Sequence, residues 1–185
     1  MKTYTLNVAG LKRELQICPL NDKLSIAAFI MFGDVELTST CAKELLKLAP
    51  DHDLIITSES KGIPLAFEMA RQSGNNNYIV ARKSKKLYMN NVFSSTLTSI
   101  TTVGQQTLYV DGKDAANMNN KRILIVDDVI STGESLKALE DLVNSAGGKI
   151  VGKMAVLAEG DAEDRDDISF LAPLPLFNKE GEEIK

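Results

Sequence analysis

Cysteine is scarce: 2 in 185 residues. Cys18 and Cys41 are far apart and lack the close spacing of a metal-binding pair, so they read as reduced, structural thiols of a cytoplasmic protein. Histidine is scarcer still, and the lone His52, in "PDHD", reads as a turn residue. An excess of positive charge is also missing. The 21 Lys and Arg against 25 Asp and Glu leave a net charge of -4, which excludes a broadly basic nucleic-acid binder. Any polyanion must therefore be held by a local cluster. No apolar run approaches the roughly 20 residues that span a bilayer, so no membrane segment is expected. "MKTYTLNVAG" has no extended apolar core, so no signal peptide is expected. Repeats and low-complexity tracts are absent.

What remains is an ordinary globular composition, 44% hydrophobic, in a length that suits one domain over residues 1–185. Hydrophobic periodicity supplies its elements. Tyr4, Leu6 and Val8 alternate with polar residues, Ala9-Gly10 turns, and Leu11, Leu15 and Ile17 keep the period of two, as a hairpin does. Leu37, Cys41, Leu45 and Leu48 form one face of a helix over 35–49, stopped by Pro50. Residues 54–57 are a short buried strand. A loop follows, then a helix with Pro64 in its first turn, Ile63, Phe67 and Ala70 on its face, and Gly74 at its end. Residues 78–81 form the next strand. The polar, basic stretch 83–95 is long and weakly patterned, as functional loops are, and is expected to close over a site. Residues 97–100 and 107–110 read as an antiparallel pair around Gly104-Gln105. The run from Ile123 is a strand, and Leu136, Leu139, Val143 and Ala146 mark a helix closed by Gly147-Gly148. Strands at 150–158 and 168–171 follow.

Strands alternating with helices imply an α/β fold with a mainly parallel central sheet and flanking helices. Ligands of such sheets lie beyond the carboxyl ends of the strands. The residues just after each strand therefore matter most: Glu59-Ser60-Lys61-Gly62, Arg82-Lys83, Asp127-Asp128 and Glu159-Gly160.

One stretch, "ILIVDDVISTGES" (residues 123–135), carries a specific chemistry. Ser131, Thr132, Gly133, Glu134 and Ser135 lead into a helix start, where unpaired backbone amides carry partial positive charge. Gly133 lets an anion approach the backbone, and the hydroxyls add donors, which together make a phosphate cradle. The carboxylates of Asp127 and Asp128 suit sugar hydroxyls or a hydrated Mg²⁺. A ribose 5-phosphate satisfies both halves.

The same string resembles the phosphoribosyl diphosphate signature of the type I phosphoribosyltransferases: an apolar run, an acid pair, two apolar residues, a small residue, Thr-Gly, and a small or hydroxylated pair. Glu134 departs from it, standing where Gly is more usual. "ESKGIPLA" (59–66) resembles the diphosphate loop of the purine subgroup. "VARKSKK" (80–86) resembles the Arg-Lys pair of the adenine and xanthine phosphoribosyltransferases. The resemblance covers roughly residues 54–171. It implies the type I fold, with a core over 51–172 and a small hood from the N-terminal hairpin and helix (1–50) and the C-terminal segment.

The resemblance further implies a cytoplasmic, Mg²⁺-dependent enzyme of purine salvage, a homodimer, using phosphoribosyl diphosphate and a purine base. Neither nucleic acid nor membrane is an expected partner. By that resemblance Asp127 and Asp128 hold the ribose hydroxyls, and either is open to the metal. Residues 131–135 bind the 5-phosphate. Ser60, Lys61 and Gly62 face the diphosphate, and Arg82, Lys83 and Lys86 neutralise it as it leaves. Glu159 helps to shape the base pocket. Adenine enzymes carry a Glu near the mobile loop, where this chain has Thr102. "SSTLTSITT" (94–102) is closer to the 6-oxopurine enzymes, so the base stays open.

Two other readings compete. A bacterial purine-operon repressor family carries the same domain as a non-catalytic sensor of phosphoribosyl diphosphate, with a loop much like "KGIPLA". Those chains add a DNA-binding domain, whereas residues 1–50 here contain no basic recognition helix. "ILIVDD" also resembles the first strand of a phosphorelay receiver, but the chain after Ser135 is too short for the βα series that follows in that fold.

Overall fold

The computed structural model describes residues 2–98 and 105–184. In chain order its elements are β1 (Thr3–Val8), β2 (Leu11–Pro19), β3 (Leu24–Ala27), α1 (Val35–Leu48), β4 (Leu54–Ser58), α2 (Ile63–Gln72), β5 (Ile79–Ala81) and β6 (Phe93–Thr98). There follow β7 (Gln105–Val110), α3 (Gly112–Met118), β8 (Arg122–Ile130), α4 (Glu134–Ser145), β9 (Lys149–Glu159), a 3₁₀ turn (Gly160–Asp164), β10 (Ser169–Leu174) and β11 (Leu176–Asn178).

The centre is a five-stranded, all-parallel sheet in the order β10-β9-β8-β4-β5. Both its faces are buried, which explains the continuous apolar runs of its strands. Along β8, Leu124 and Val126 join the core layer that holds Leu45 of α1 and Leu65 and Met69 of α2. Ile123 and Ile125 join the other layer, with Met118 of α3 and Leu139 and Val143 of α4. Strand order reverses between β4, which leads through α2 to β5, and β8, which leads through α4 to β9. A crevice opens at the carboxyl ends of a sheet at such a reversal.

A second, antiparallel sheet, β1-β2-β3-β11, forms the hood. Its first hairpin turns on Ala9 (φ 52°) and Gly10 (φ 77°) with Val8 opposite Leu11, as a two-residue turn with positive φ at both positions requires. The C-terminal β11 pairs with β3, so the hood draws on both ends of the chain, as the resemblance implied. A β6–β7 ribbon joins the main sheet through a bridge between Arg82 and Tyr109.

Several expectations are corrected. The buried face of α2 is Leu65, Ala66, Met69 and Ala70, whereas Phe67 is 52% exposed and Ile63 half-buried. The irregular stretch after β5 is shorter than expected, because pairing with β7 makes a strand from Phe93 onward. β3, α3 and β11 were not foreseen. β8 does not stop at Val126 but runs through the acid pair to Ile130, held by Asp127 opposite Ala155 and Ile130 opposite Ala158 on β9. Residues 99–104, including Thr102 and Gly104, lie outside the described residues.

Candidate active site

Parallel strand–helix units put two helix starts at one end of the sheet. The turn after β8 opens α4, and the turn after β4 opens α2. Gly133 is the residue before α4 and takes a left-handed conformation, φ 81°, which a side chain would strain. No side chain caps the start of α4, so its first-turn amides stay open to a ligand. Asp127, Ile130, Ser131, Thr132, Gly133 and Ser135 are among the residues lining a recess of about 50 Å³ there.

The turn before α2 is pressed against the acid pair. A Cβ added at Gly62 would lie 2.3 Å from Thr57 Oγ1 and 2.8 Å from Asp127 Oδ1, so only glycine lets this loop pass. The Glu59–Ser60 peptide at its start is cis, and Pro64 occupies the first turn of α2.

Asp127 and Asp128 are neighbours with different partners. Asp127 Oδ1 accepts the Asp128 amide at 2.9 Å, and its Oδ2 accepts the Ser58 hydroxyl at 3.3 Å. Burial and then the charge of Asp128 raise its carboxyl well above the usual carboxylate range. Asp128 is 4% exposed, and the Lys61 ammonium lies 2.7 Å from its Oδ2. That contact is off hydrogen-bond alignment and is an ion pair, leaving the oxygen without an aligned donor. Lys61 Nζ also approaches the Phe29 carbonyl at 3.4 Å, tying the loop to the chain that leaves the hood. Glu159, at the end of β9, is raised by burial. The charge of Lys61 opposes that rise and the charge of Asp128 adds to it.

The basic residues after β5 gather around Glu59. Its Oε2 accepts the Lys83 amide at 2.9 Å, and its Oε1 is 3.1 Å from Arg82 Nη2. The Lys83 amide and, less strongly, Arg82 hold this carboxyl below its ordinary range. Arg82 Nη1 also donates to the Tyr88 hydroxyl at 3.2 Å. The Lys86 ammonium bonds Ser84 Oγ at 2.7 Å and lies within electrostatic reach of Glu59.

This geometry has counterparts among known proteins. A family model described as "Phosphoribosyl transferase domain" matches residues 38–173. The chain belongs to the phosphoribosyltransferase family. An adenine phosphoribosyltransferase of Rhodococcus jostii is 32% identical over 127 residues, covering 69% of this chain and 69% of that one. A hypoxanthine/guanine phosphoribosyltransferase of Methanothermococcus okinawensis is 31% identical over 132 residues, 70% of this chain and 67% of its own. Among solved structures, the adenine phosphoribosyltransferase of Thermoanaerobacter pseudethanolicus superposes with a TM-score of 0.70 at 22% identity, covering 86% of this chain and 95% of that one. That likeness speaks for the fold.

Within this phosphoribosyltransferase, Lys61, Gly62, Asp127, Asp128 and Glu159 form one group with the 131–135 turn, and Arg82, Lys83 and Lys86 form a second around Glu59. Ser60 lies between them in sequence, next to Glu59. His52 is elsewhere, in the segment that precedes β4, with its Nδ1 2.9 Å from the Pro50 carbonyl. Sequence reading missed Ser58, which supports Asp127, and Tyr88, which supports Arg82. Neither carries a local signal. It also missed Arg165, the lone cation in "GDAEDRDD", a contrast that was there to be read.

Proposed function

We propose that the protein is a cytoplasmic purine phosphoribosyltransferase. It transfers the 5-phosphoribosyl group of phosphoribosyl diphosphate to a purine base, giving a nucleoside monophosphate and diphosphate. The observation that carries this reading is an amide-lined recess and two carboxylates at the same end of one sheet, facing a lysine-bearing loop. The recess takes the 5-phosphate through the amides and hydroxyls of residues 131–135. Asp127 and Asp128 take the ribose hydroxyls. Ser60, Lys61, Gly62 and the first-turn amides of α2 take the diphosphate, and Arg82, Lys83 and Lys86 neutralise it as it departs. Glu159 borders the base.

In the reaction the bond from C1 to the diphosphate oxygen breaks and a bond from C1 to a purine nitrogen forms, with loss of that nitrogen's proton. The sugar passes through oxocarbenium character, as in other glycosyl transfers. No protein nucleophile is needed, and the rate comes from positioning and preorganised charge.

The donor set fits a hydrated Mg²⁺. It offers oxygen ligands only, and Asp128 Oδ2 has an ion-pair partner but no aligned donor. Among the described residues no group of three or more His, Cys, Asp or Glu surrounds a metal site, so the ion would keep waters and lean on substrate oxygens. When bound it offsets charge on the diphosphate. A homodimer is part of the same reading. The groove between α1 and α2 exposes Val35 and Phe67, apolar surface that a second copy would cover.

The relatives act on adenine or on hypoxanthine and guanine, at nearly equal identity, so the base is settled by assay. The protein is incubated with phosphoribosyl diphosphate, Mg²⁺ and each of adenine, hypoxanthine, guanine and xanthine, and nucleotide is measured. Nucleotide from at least one base is expected. Donor binding without release of diphosphate from any of them would replace this reading with a sensor.

A further inference from the structure

Between β9 and β10 the chain makes its 3₁₀ turn and then presents Arg165, the one cation in an acidic stretch. Its guanidinium is locked in place. Nε donates to Asp167 Oδ1 and Nη2 to Asp167 Oδ2, each at 2.8 Å. Asp167 is also bonded to Lys153 of β9, and Lys153 reaches Glu140 of α4 at 2.9 Å. A chain of charges thus ties the guanidinium to the same helix whose start forms the cradle.

A guanidinium that gives its Nε–Nη2 edge to one carboxylate still has the N–H groups of Nη1 on its other side. Here Nη1 lies against Gly133: a Cβ built on that glycine would sit 2.5 Å from it. Arg165 therefore stands at the turn that opens α4, half-buried and fixed by two bonds on its far edge. A phosphate ester is an anion, and a guanidinium beside the turn adds charge-assisted donors to the amides there.

We propose that Arg165 is a further binding residue for the ester phosphate of the donor and product, acting with the amides of residues 131–135. This rests on the function proposed above. A surface arginine that merely anchors the loop after β9 would do none of this, and the two roles separate by ligand.

Arg165→Gln and Arg165→Lys are compared with the parent for donor KM and for binding of three probes: a purine nucleoside 5′-monophosphate, the matching nucleoside, and inorganic diphosphate. Arg165→Gln should raise donor KM and weaken the monophosphate by about tenfold, the size of one charge-assisted contact. Nucleoside and diphosphate affinities should be unchanged, and Arg165→Lys should fall between. Unchanged donor KM and monophosphate binding in Arg165→Gln, with the parent active, would overturn the role and leave the function standing. Equal weakening of all three probes would mark a structural anchor and overturn it too. A parent that neither binds nor turns over the donor would instead remove the functional reading on which it rests.

Discussion

The Lys61 ammonium and the Asp128 carboxylate meet at 2.7 Å, joining the loop that enters α2 to the end of β8. The lysine side chain is 45% exposed and the aspartate side chain 5%, so a buried negative charge is held by a cation that reaches in from the crevice mouth. A buried carboxylate without such a partner is costly. The pair thus explains how two adjacent acids persist at a strand end: Asp128 is compensated by Lys61, while Asp127 is pushed toward its neutral form.

Lys61→Met should leave Asp128 uncompensated and lower stability by about 1–3 kcal/mol, below the loss for a fully buried pair because of the exposed lysine. Asp128→Asn in the same chain should restore much of it. Urea unfolding of the four forms gives the coupling, and strictly additive losses would sink the idea.

Asp128→Asn alone should keep the fold and spare the Thr57–Gly62–Asp127 contacts. Donor kcat/KM should fall by about 10²-fold, because a neutral amide no longer accepts a ribose hydroxyl as a carboxylate does. Equal steady-state kinetics in the variant would count against its role.

Asp127 makes stability depend on pH in a defined direction. Its carboxyl is pushed up to about 7, chiefly by burial and then by Asp128, whereas an unfolded aspartate titrates near ~3.9. Between those values the folded chain keeps a proton that the unfolded chain has released, so stability falls as pH rises. Asp127→Asn removes that titration. Its advantage in Tm over the parent should grow from about pH 5 to about pH 8, and parallel Tm profiles would refute the assignment.

Gly62→Ala should destabilise by about 1–3 kcal/mol and displace the loop that enters α2. The added methyl would fall 2.3 Å from Thr57 Oγ1, on a fully buried residue, and 2.8 Å from Asp127 Oδ1. Denaturant unfolding and donor KM should both change. A variant with the parent's midpoint and KM would show that the loop can yield.

Much of this was legible in the residues. The first hairpin, α1, α4 and the parallel strands follow from apolar spacing, and the acid pair, glycine turn and helix start form one contiguous unit. The α2 face was misread because Phe67 fits a helical stripe but is left outside the core, where burial and not periodicity decides. β3 and β11 went unnoticed because each is short and becomes a strand only by pairing with the other and, for β3, with β2.

The sequence alone determined the strand–turn–helix unit over residues 123–145, since its signals are the periodicity and turn chemistry of neighbours. Tertiary structure alone decided that β8 continues through the acids, because only pairing with β9 extends it. It also decided that Lys61 neutralises Asp128 and that Arg165 reaches Gly133. Those contacts join residues far apart in the chain, and they exist because burying the sheet between its helices brings the strand ends together.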